Sequence, residues 1–333
     1  MTFNVRVADT GIVFPCDGGE TVLDAAERAG YTLPYSCRKG LCSTCEGSLL
    51  QGSAVVGRER VTGARAGILF CRARPASDLA ITPKRIEKRA PPARKRIKAR
   101  VFRLHRPAPD VAVLHLRFAA DQRVKFRAGQ YLRVIMRDGE SRNFSMANPP
   151  QHSDGAELHI RRITGGRFSE TLLGALATGD TVEIETPFGE FFLREKLAKP
   201  IAFLAHGTGF APIRSIVEDL IRRGISRPAR LYLGTRNADE PYVRPLIAKW
   251  PTRAPWLTTS VVMLERGPMR PPRLLHRALL EDLPDLTAHQ VYACGPKPMI
   301  DAAHEQLVQQ GKLPDDEFYA DSFVPTGVVA GPG

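Results

Sequence analysis

The chain has 333 residues, a length that at ~150 per domain points to about two domains, with three small ones allowed. Its 43% hydrophobic and 25% charged residues exclude global disorder. The net charge of +13 raises a nucleic-acid reading. Yet ten Lys/Arg stand against Glu87 alone between Pro83 and Arg103, so +9 of that charge lies in 21 residues. The charge is local, and no nucleic-acid partner is expected. No apolar run approaches the ~18 residues of a membrane-spanning helix. The start, Met1-Thr2-Phe3-Asn4-Val5-Arg6, lacks the basic-then-apolar layout of a signal peptide. A cytoplasmic protein without a membrane partner is the expectation.

In chain order, Phe3–Val7 alternates in the period-2 manner of a half-buried strand. Thr21-Val22-Leu23-Asp24 opens a helix with a capping-box-like start and Gly30 closes it, which puts Val22, Ala25, Ala26 and Ala29 on one face. Loop residues dominate from Pro34 to Gly47. Within the basic run, Ala90-Pro91-Pro92-Ala93 cannot continue a helix and reads as a semi-rigid linker. Strand-like runs recur at Arg100–His105, Val111–Phe118, Gln130–Met136, Glu157–Ile163 and Thr181–Glu185, with one helix pattern at Phe168–Leu176. Many short strands separated by turns predict an antiparallel barrel. From Pro200 the apolar strands Ile201–Ala205, Arg230–Gly234, Thr258–Leu264 and Gln290–Ala293 alternate with helical segments such as Ile213–Arg223. That alternation predicts a parallel sheet with helices on its faces.

The six cysteines stand at 16, 37, 42, 45, 71 and 294. A tight cluster with one distant member suggests metal binding more than disulfides in a cytoplasmic chain. Cys37-x4-Cys42-x2-Cys45, with Cys71 after 25 intervening residues, is the ligand spacing of a plant-type [2Fe–2S] ferredoxin. Two irons need four thiolates; one loop wraps three around a cluster and the fourth comes from a distant segment. Gly40, Ser43, Thr44 and Gly47 keep the loop close, so backbone N–H groups can point at the sulfurs and help set a potential of roughly −400 mV. A zinc ribbon would repeat a C-x2-C pair, and only one is present. Cys16 lies outside the pattern and reads as a small buried filler. Residues 1–82 resemble the plant-type ferredoxin domain, with Leu33-Pro34-Tyr35-Ser36-Cys37-Arg38-Lys39-Gly40 close to the family pattern. Ser43 departs from it where the family usually has glycine.

Further along, Arg142-Asn143-Phe144-Ser145 follows a strand and a turn, and Gly165-Gly166-Arg167-Phe168-Ser169 precedes the helix pattern, whose N-terminus can present free N–H groups to a phosphate. Gly207-Thr208-Gly209-Phe210-Ala211-Pro212 joins a strand to a helix, a place where glycines let backbone approach a pyrophosphate. Cys294-Gly295-Pro296-Lys297-Pro298-Met299 opens the last helix, and Phe318-Tyr319-Ala320-Asp321-Ser322-Phe323 lies near the end. In this order the motifs resemble those of the ferredoxin–NADP⁺ reductase superfamily. The resemblance implies that Arg142 holds the flavin pyrophosphate, Phe144 (usually tyrosine) packs on the isoalloxazine, and Ser145 hydrogen-bonds near its reactive N5. It places a flavin-contacting strand at His159-Ile160-Arg161 and a second pyrophosphate contact at Gly165–Ser169. It sets Cys294 beside the nicotinamide and a terminal aromatic, Phe323 in preference to Tyr319, over the flavin. His206 stands where glycine or alanine is commoner.

Together these features imply a multidomain α+β and α/β chain. A β-grasp [2Fe–2S] ferredoxin domain is expected over 1–83, a basic linker over 84–96, an antiparallel β-barrel FAD domain over 97–198 and a parallel-sheet NAD(P)-binding domain over 199–333. The expected cluster ligands are Cys37, Cys42, Cys45 and Cys71; the expected catalytic residues are Ser145, Cys294 and Phe323. Thr235 and Arg236 follow the second strand of the parallel sheet, beside the expected adenosine ribose. Arg236 favours a 2′-phosphate and NADPH, whereas Asp239 or Glu240 favours the 2′-hydroxyl of NADH. The resemblance implies a reductase that passes electrons from NAD(P)H through FAD and the cluster to the oxygenase component of an aromatic-ring-hydroxylating dioxygenase, of the phthalate or terephthalate kind. A reductase for nucleotide-sugar 3-deoxygenation is the alternative. A monomer is expected, with the acceptor docking on the cluster loop around Arg38, Lys39 and Leu41.

Overall fold

The computed structural model describes residues 1–89, 93–163, 165–166, 168–169, 173–195, 198–235, 242–264 and 274–323. The chain divides into two compact units, Met1–Ala93 and Arg94–Gly333.

The first unit runs β1 (Thr2–Val7), β2 (Val13–Asp17), α1 (Val22–Arg28), β3 (Tyr31–Thr32), β4 (Glu46–Gln51), β5 (Ser53–Val56), β6 (Glu59–Thr62), β7 (Arg65–Leu69), β8 (Ala73–Pro75), β9 (Leu79–Pro83) and β10 (Glu87–Lys88). Its main sheet has the order β2-β1-β9-β4-β7, in which only β1 and β9 run parallel. This is the β-grasp, with α1 as its helix. The Thr21 hydroxyl accepts the Asp24 N–H at 3.2 Å, the expected cap. Val22, Leu23, Ala25 and Ala26 are fully buried, as is Cys16, whose thiol burial pushes up to about 12. The boundary between the two units falls inside the linker expected over 84–96, of which residues 90–92 lie outside the described residues. Glu87–Lys88 pairs with Tyr31–Thr32, and the Arg89 N–H and C=O bond to Gly30 and to the Thr32 hydroxyl, both at 2.9 Å. A sheet edge that needs partners has recruited the nearest chain.

The second unit begins with β11 (Lys95–Ala108), β12 (Val111–Arg117), β13 (Tyr131–Ile135), β14 (Ser141–Ser145), β15 (Gly155–Arg161), α2 (Leu173–Ala175) and β16 (Thr181–Phe188). The strands order as β14-β13-β16-β11-β12-β15, all antiparallel, and a bridge from Met146 to Leu158 brings the two ends together. A barrel results. In β11 the basic run is read correctly only as a strand: Lys98 and Arg100 point out while Ile97, Ala99 and Val101 point into the core. The helix expected over Phe168–Leu176 is represented among the described residues by α2.

The unit continues with β17 (Ile201–His206), α3 (Phe210–Arg222), β18 (Ala229–Thr235), α4 (Arg244–Ile247), α5 (Trp250–Arg253), β19 (Leu257–Met263), α6 (Leu275–Asp282), β20 (Gln290–Pro296), α7 (Lys297–Gln309) and β21 (Phe318–Phe323). Five parallel strands order as β19-β18-β17-β20-β21. Phe203, Leu231 and Tyr292 pack with α3 on one face, while Leu204, Val291 and Ala293 pack with α6 and α7 on the other. Strand β21 forms an edge among the described residues, held by β20 alone. Among the described residues no helix is long and apolar enough to cross a membrane.

Candidate functional site

The cysteine loop lies between α1 and β4. The four thiols form two hydrogen-bonded pairs, Cys37 with Cys42 and Cys45 with Cys71. Cys42, Cys45 and Cys71 are buried. Among the described residues no three His, Cys, Asp or Glu side chains stand as a ready-made metal site. The backbone nonetheless faces sulfur. The Lys39 and Leu41 N–H groups donate to Cys37 Sγ at 3.3 and 3.5 Å, and Cys37 N–H donates to Cys42 Sγ at 3.4 Å. The Cys42 hydrogen bond and these N–H groups hold the Cys37 thiol down at about 6, and Cys45 with the Gly40 N–H lowers Cys71 likewise. Within each pair the other thiol moves the opposite way: Cys42 and Cys45 are pushed well up by the hydrogen bond to their partner sulfur and by burial. One sulfur of each pair is therefore favoured as thiolate, the form in which iron binds it. Gly40 adopts φ +77°, and a Cβ there would stand 2.8 Å from Arg72 Cγ. Ser43 adopts φ +59°, a left-handed conformation that explains why glycine is commoner at this position.

Arg38, expected on the docking face, is turned inward. Its side chain is 9% exposed, bound to Asp24 and to Glu27 Oε1 (2.8 Å) on α1, with its guanidinium 4.6 Å from the Tyr35 ring centre. Two carboxylates draw one cation into the domain. Lys39 and Leu41 remain toward solvent, Leu41 at 41% exposure.

In the second unit, a constellation forms at the carboxyl end of β20. Cys294 and Asp321 are register partners on β20 and β21, and Ser145 Oγ donates to Asp321 Oδ2 at 3.1 Å. All three are buried. Burial, reinforced by the Asp321 carboxylate, holds the Cys294 thiol well above its ordinary value, so it stays protonated. Phe323 ends β21 opposite Pro296. Tyr319 is committed elsewhere: it stacks on Tyr292 at 4.7 Å and donates to Glu317. Thus Ser145, Cys294 and Phe323, predicted together, all belong to this end of the sheet or to the residue bonded to it. Asp321 was not singled out; its signal was a lone acid in the otherwise uncharged strand Phe318–Phe323.

The glycine loop packs tightly beside it. A Cβ on Gly209 would lie 2.2 Å from the Cys294 carbonyl oxygen, so only glycine lets α3 begin this close to β20. Arg161, bound to Asp110, lies over Gly207. Thr208 precedes α3, Pro212 lies in its first turn, and Gly295 abuts Met299 and His206. Thr235 ends β18 buried, with its hydroxyl unpartnered among the described residues. Arg236, Asp239, Glu240 and Arg167 lie outside the described residues.

In the barrel, Arg142 Nη1 reaches Glu140 Oε2 (3.1 Å) and the Ser141 carbonyl (2.9 Å), while Asn143 faces Arg133 in register. Phe144 packs on Phe168 with ring centres 4.7 Å apart. Ser169 Oγ accepts the Ile163 N–H at 2.9 Å, closing the turn that holds Gly165 and Gly166. Ile160 enters the barrel core, which by strand alternation sends His159 outward. Its ring lies beside Phe210 and Tyr242, and its Nε2 pairs with Glu157 at 2.9 Å. Glu157 also receives Arg214 of α3 at 2.5 Å. Burial opposes its charge, yet His159 and Arg214 hold the carboxyl well below the usual range. The His159 side chain therefore joins barrel to nucleotide sheet.

Three family models match in succession. The 2Fe-2S iron-sulfur cluster binding domain covers residues 5–76, the oxidoreductase FAD-binding domain 98–193 and the oxidoreductase NAD-binding domain 203–305. Reductase component 2 of terephthalate 1,2-dioxygenase from Comamonas sp is 40% identical over 338 residues, covering 98% of this chain and 99% of its own. The chain belongs to the iron–sulfur flavoprotein reductases of the ferredoxin–NADP⁺ reductase superfamily. The reductase is also 33% identical to CDP-6-deoxy-L-threo-D-glycero-4-hexulose-3-dehydrase reductase of Yersinia pseudotuberculosis, over 98% of this chain and all of that one. The crystal structure of Amycolatopsis cytochrome P450 reductase GcoB matches it with a TM-score of 0.78 at 28% identity, covering 97% of this chain and 99% of the other. This reductase is an NAD(P)H-dependent oxidoreductase with [2Fe–2S], FAD and NAD(P) domains.

Proposed function

We propose that the reductase delivers electrons from NAD(P)H to the oxygenase component of an aromatic-ring-hydroxylating dioxygenase of the phthalate or terephthalate kind. The 40% identity to a terephthalate dioxygenase reductase, over nearly the whole length of both chains, carries this reading. When bound, the flavin and the cluster convert hydride transfer into one-electron delivery. The protein's part is to hold and orient. Cys37, Cys42, Cys45 and Cys71 bind the irons, with the loop N–H groups favouring thiolate. Arg142 and the Gly165–Ser169 turn hold the flavin phosphates, Phe144 and Phe323 pack on the ring, and residues 159–161 contribute backbone. Gly207–Pro212 and Thr235 receive the dinucleotide. Asp321 fixes the Ser145 hydroxyl, and the protonated Cys294 thiol fills the adjoining wall without competing as a nucleophile.

We place the flavin domain at 97–198 and the nucleotide-binding domain at 199–333, the acceptor on the Lys39–Leu41 side of the cluster loop, and the working protein as a cytoplasmic monomer. The six cysteines, all free thiols, support a reducing compartment. The 33% identity to a nucleotide-sugar dehydrase reductase supports a second reading, in which the acceptor is that dehydrase. The two are separated by supplying the holoprotein and NAD(P)H with either the oxygenase component of terephthalate dioxygenase or the sugar dehydrase. Aromatic dihydroxylation with the first alone is the expected result. Turnover with the dehydrase alone would reverse the assignment.

A further inference from the structure

The outer face of β11 and β12 holds an arrangement that opposes folding. Arg100 and Arg117 are cross-strand register partners, and like charges in that position destabilise a sheet. Arg103 follows, facing His115, and a break in register between Val101 and Arg103 leaves Phe102 outside as well. Phe102 is 53% exposed, with the Arg117 guanidinium 4.2 Å from its ring centre. Nearer the start of β11 the charges are answered: Arg96 pairs with Glu183, and Lys98 stands opposite Glu183 in register. Arg100 meets only Thr181 on that side. Among the described residues Arg100, Arg103 and Arg117 make no ion pair.

Arginine and an exposed aromatic ring are the side chains that anchor protein interfaces. A like-charge pair relieved only by one cation–π contact on its outer face is a broken local rule of the kind kept at functional sites. We propose that Arg100, Phe102, Arg103 and Arg117 are a contact additional to the cluster loop, docking an acidic surface of the protein that accepts this reductase's electrons. Carboxylates of that partner meet the three guanidiniums, and an apolar group seats on Phe102. The inference rests on the acceptor reading above and adds the partner's chemistry to it. A second copy does not fit, because a chain of net charge +13 repels itself. Single-stranded nucleic acid is bound along a groove on successive aromatic platforms, and this face offers one ring.

The test uses the full-length holoprotein and two charge-reversed variants. Arg100→Glu replaces the repulsive pair with an attractive one. Arg100→Glu with Arg117→Glu restores a like-charge pair of opposite sign. Melting temperature is measured, with KM for the oxygenase component of terephthalate dioxygenase across a salt series. Ferricyanide reduction, which needs no protein docking, is the control. The single variant should melt about 1 °C or more higher yet show a KM raised severalfold. The double variant should melt near the unaltered protein with KM raised at least ~10-fold and its salt dependence flattened. Ferricyanide rates should not change. Labelled oligoglutamate peptide and duplex DNA are titrated in parallel. If the oxygenase takes no electrons while oligoglutamate binding still falls in the double variant, the oxygenase reading fails and the acidic-partner surface stands. Unchanged KM and unchanged oligoglutamate affinity would overturn the surface and leave the oxygenase reading intact. Tighter binding of duplex DNA than of oligoglutamate, lost in the double variant, would overturn it in favour of nucleic acid.

Discussion

The cluster loop gathers three of its four thiols from Cys37–Cys45, one short stretch between a helix and a strand, whereas the Ser145–Asp321 contact joins residues 176 positions apart. The first site is local and strained. It holds Arg38, Ser43 and Gly40 at positive φ, and α1 reaches in through Asp24 and Glu27 to fasten it. The second is remote and unstrained: regular strands from a barrel and a parallel sheet bring their ends together. In the loop, backbone does the chemistry by aiming N–H groups at sulfur. At the strand ends, side chains do it, and the backbone only delivers them. A spacing motif therefore describes the first site almost completely and the second hardly at all.

The contrast can be broken at either end. The largest effect is expected from Cys45→Ser, which should abolish the cluster; iron analysis should fall from about two per chain to none while flavin content and ferricyanide reduction persist. Loss of flavin too would mean the sites are not independent. Asp321→Ala should leave iron intact but slow flavin reduction by NAD(P)H roughly 100-fold in stopped flow, since a misplaced group near the reacting centre carries penalties of that order. An unchanged rate would make Ser145 and Asp321 a packing pair. Arg214→Leu strands the Glu157 carboxylate, part-buried and now paired only with a neutral His159, and should lower the stability of the second unit by about 2 kcal/mol in urea. Because Glu157 titrates below its ordinary range, the pair's contribution is full above the unfolded carboxylate pKa and is lost as pH falls through the folded value. The difference between the two proteins should therefore shrink on acidification. The smallest effect is expected from Ser43→Gly, which relieves a left-handed residue and should stabilise the first unit by about 1 kcal/mol, measurable as a higher melting temperature of the holoprotein.

The three-domain order and most strands were legible because burial imposes simple periods. Val111–Arg117 and Ile201–His206 fall within a residue of their predicted bounds. The end of the basic run is legible as a strand once charge is set aside: Arg96–Val101 reads as polar and apolar positions in turn, and the barrel uses the apolar ones. Arg38 was misplaced. A cation in a loop reads as solvated, and only the packed α1 shows two acids waiting for it. His159 was placed in the correct strand, but which face it shows depends on the register of β12 and β15. Asp321 needed the third dimension, because an acid acquires meaning there only when Ser145 arrives opposite.

Among the described residues strand β21 pairs on one side only and follows all other strands in chain order. During synthesis the cysteine loop can fold and load its irons while the hydride site proposed here still lacks Asp321. A chain stalled or clipped before Phe318 would carry a cluster without Asp321 or Phe323. Assembly order alone would then keep an unfinished molecule from drawing on the cell's reduced nicotinamide.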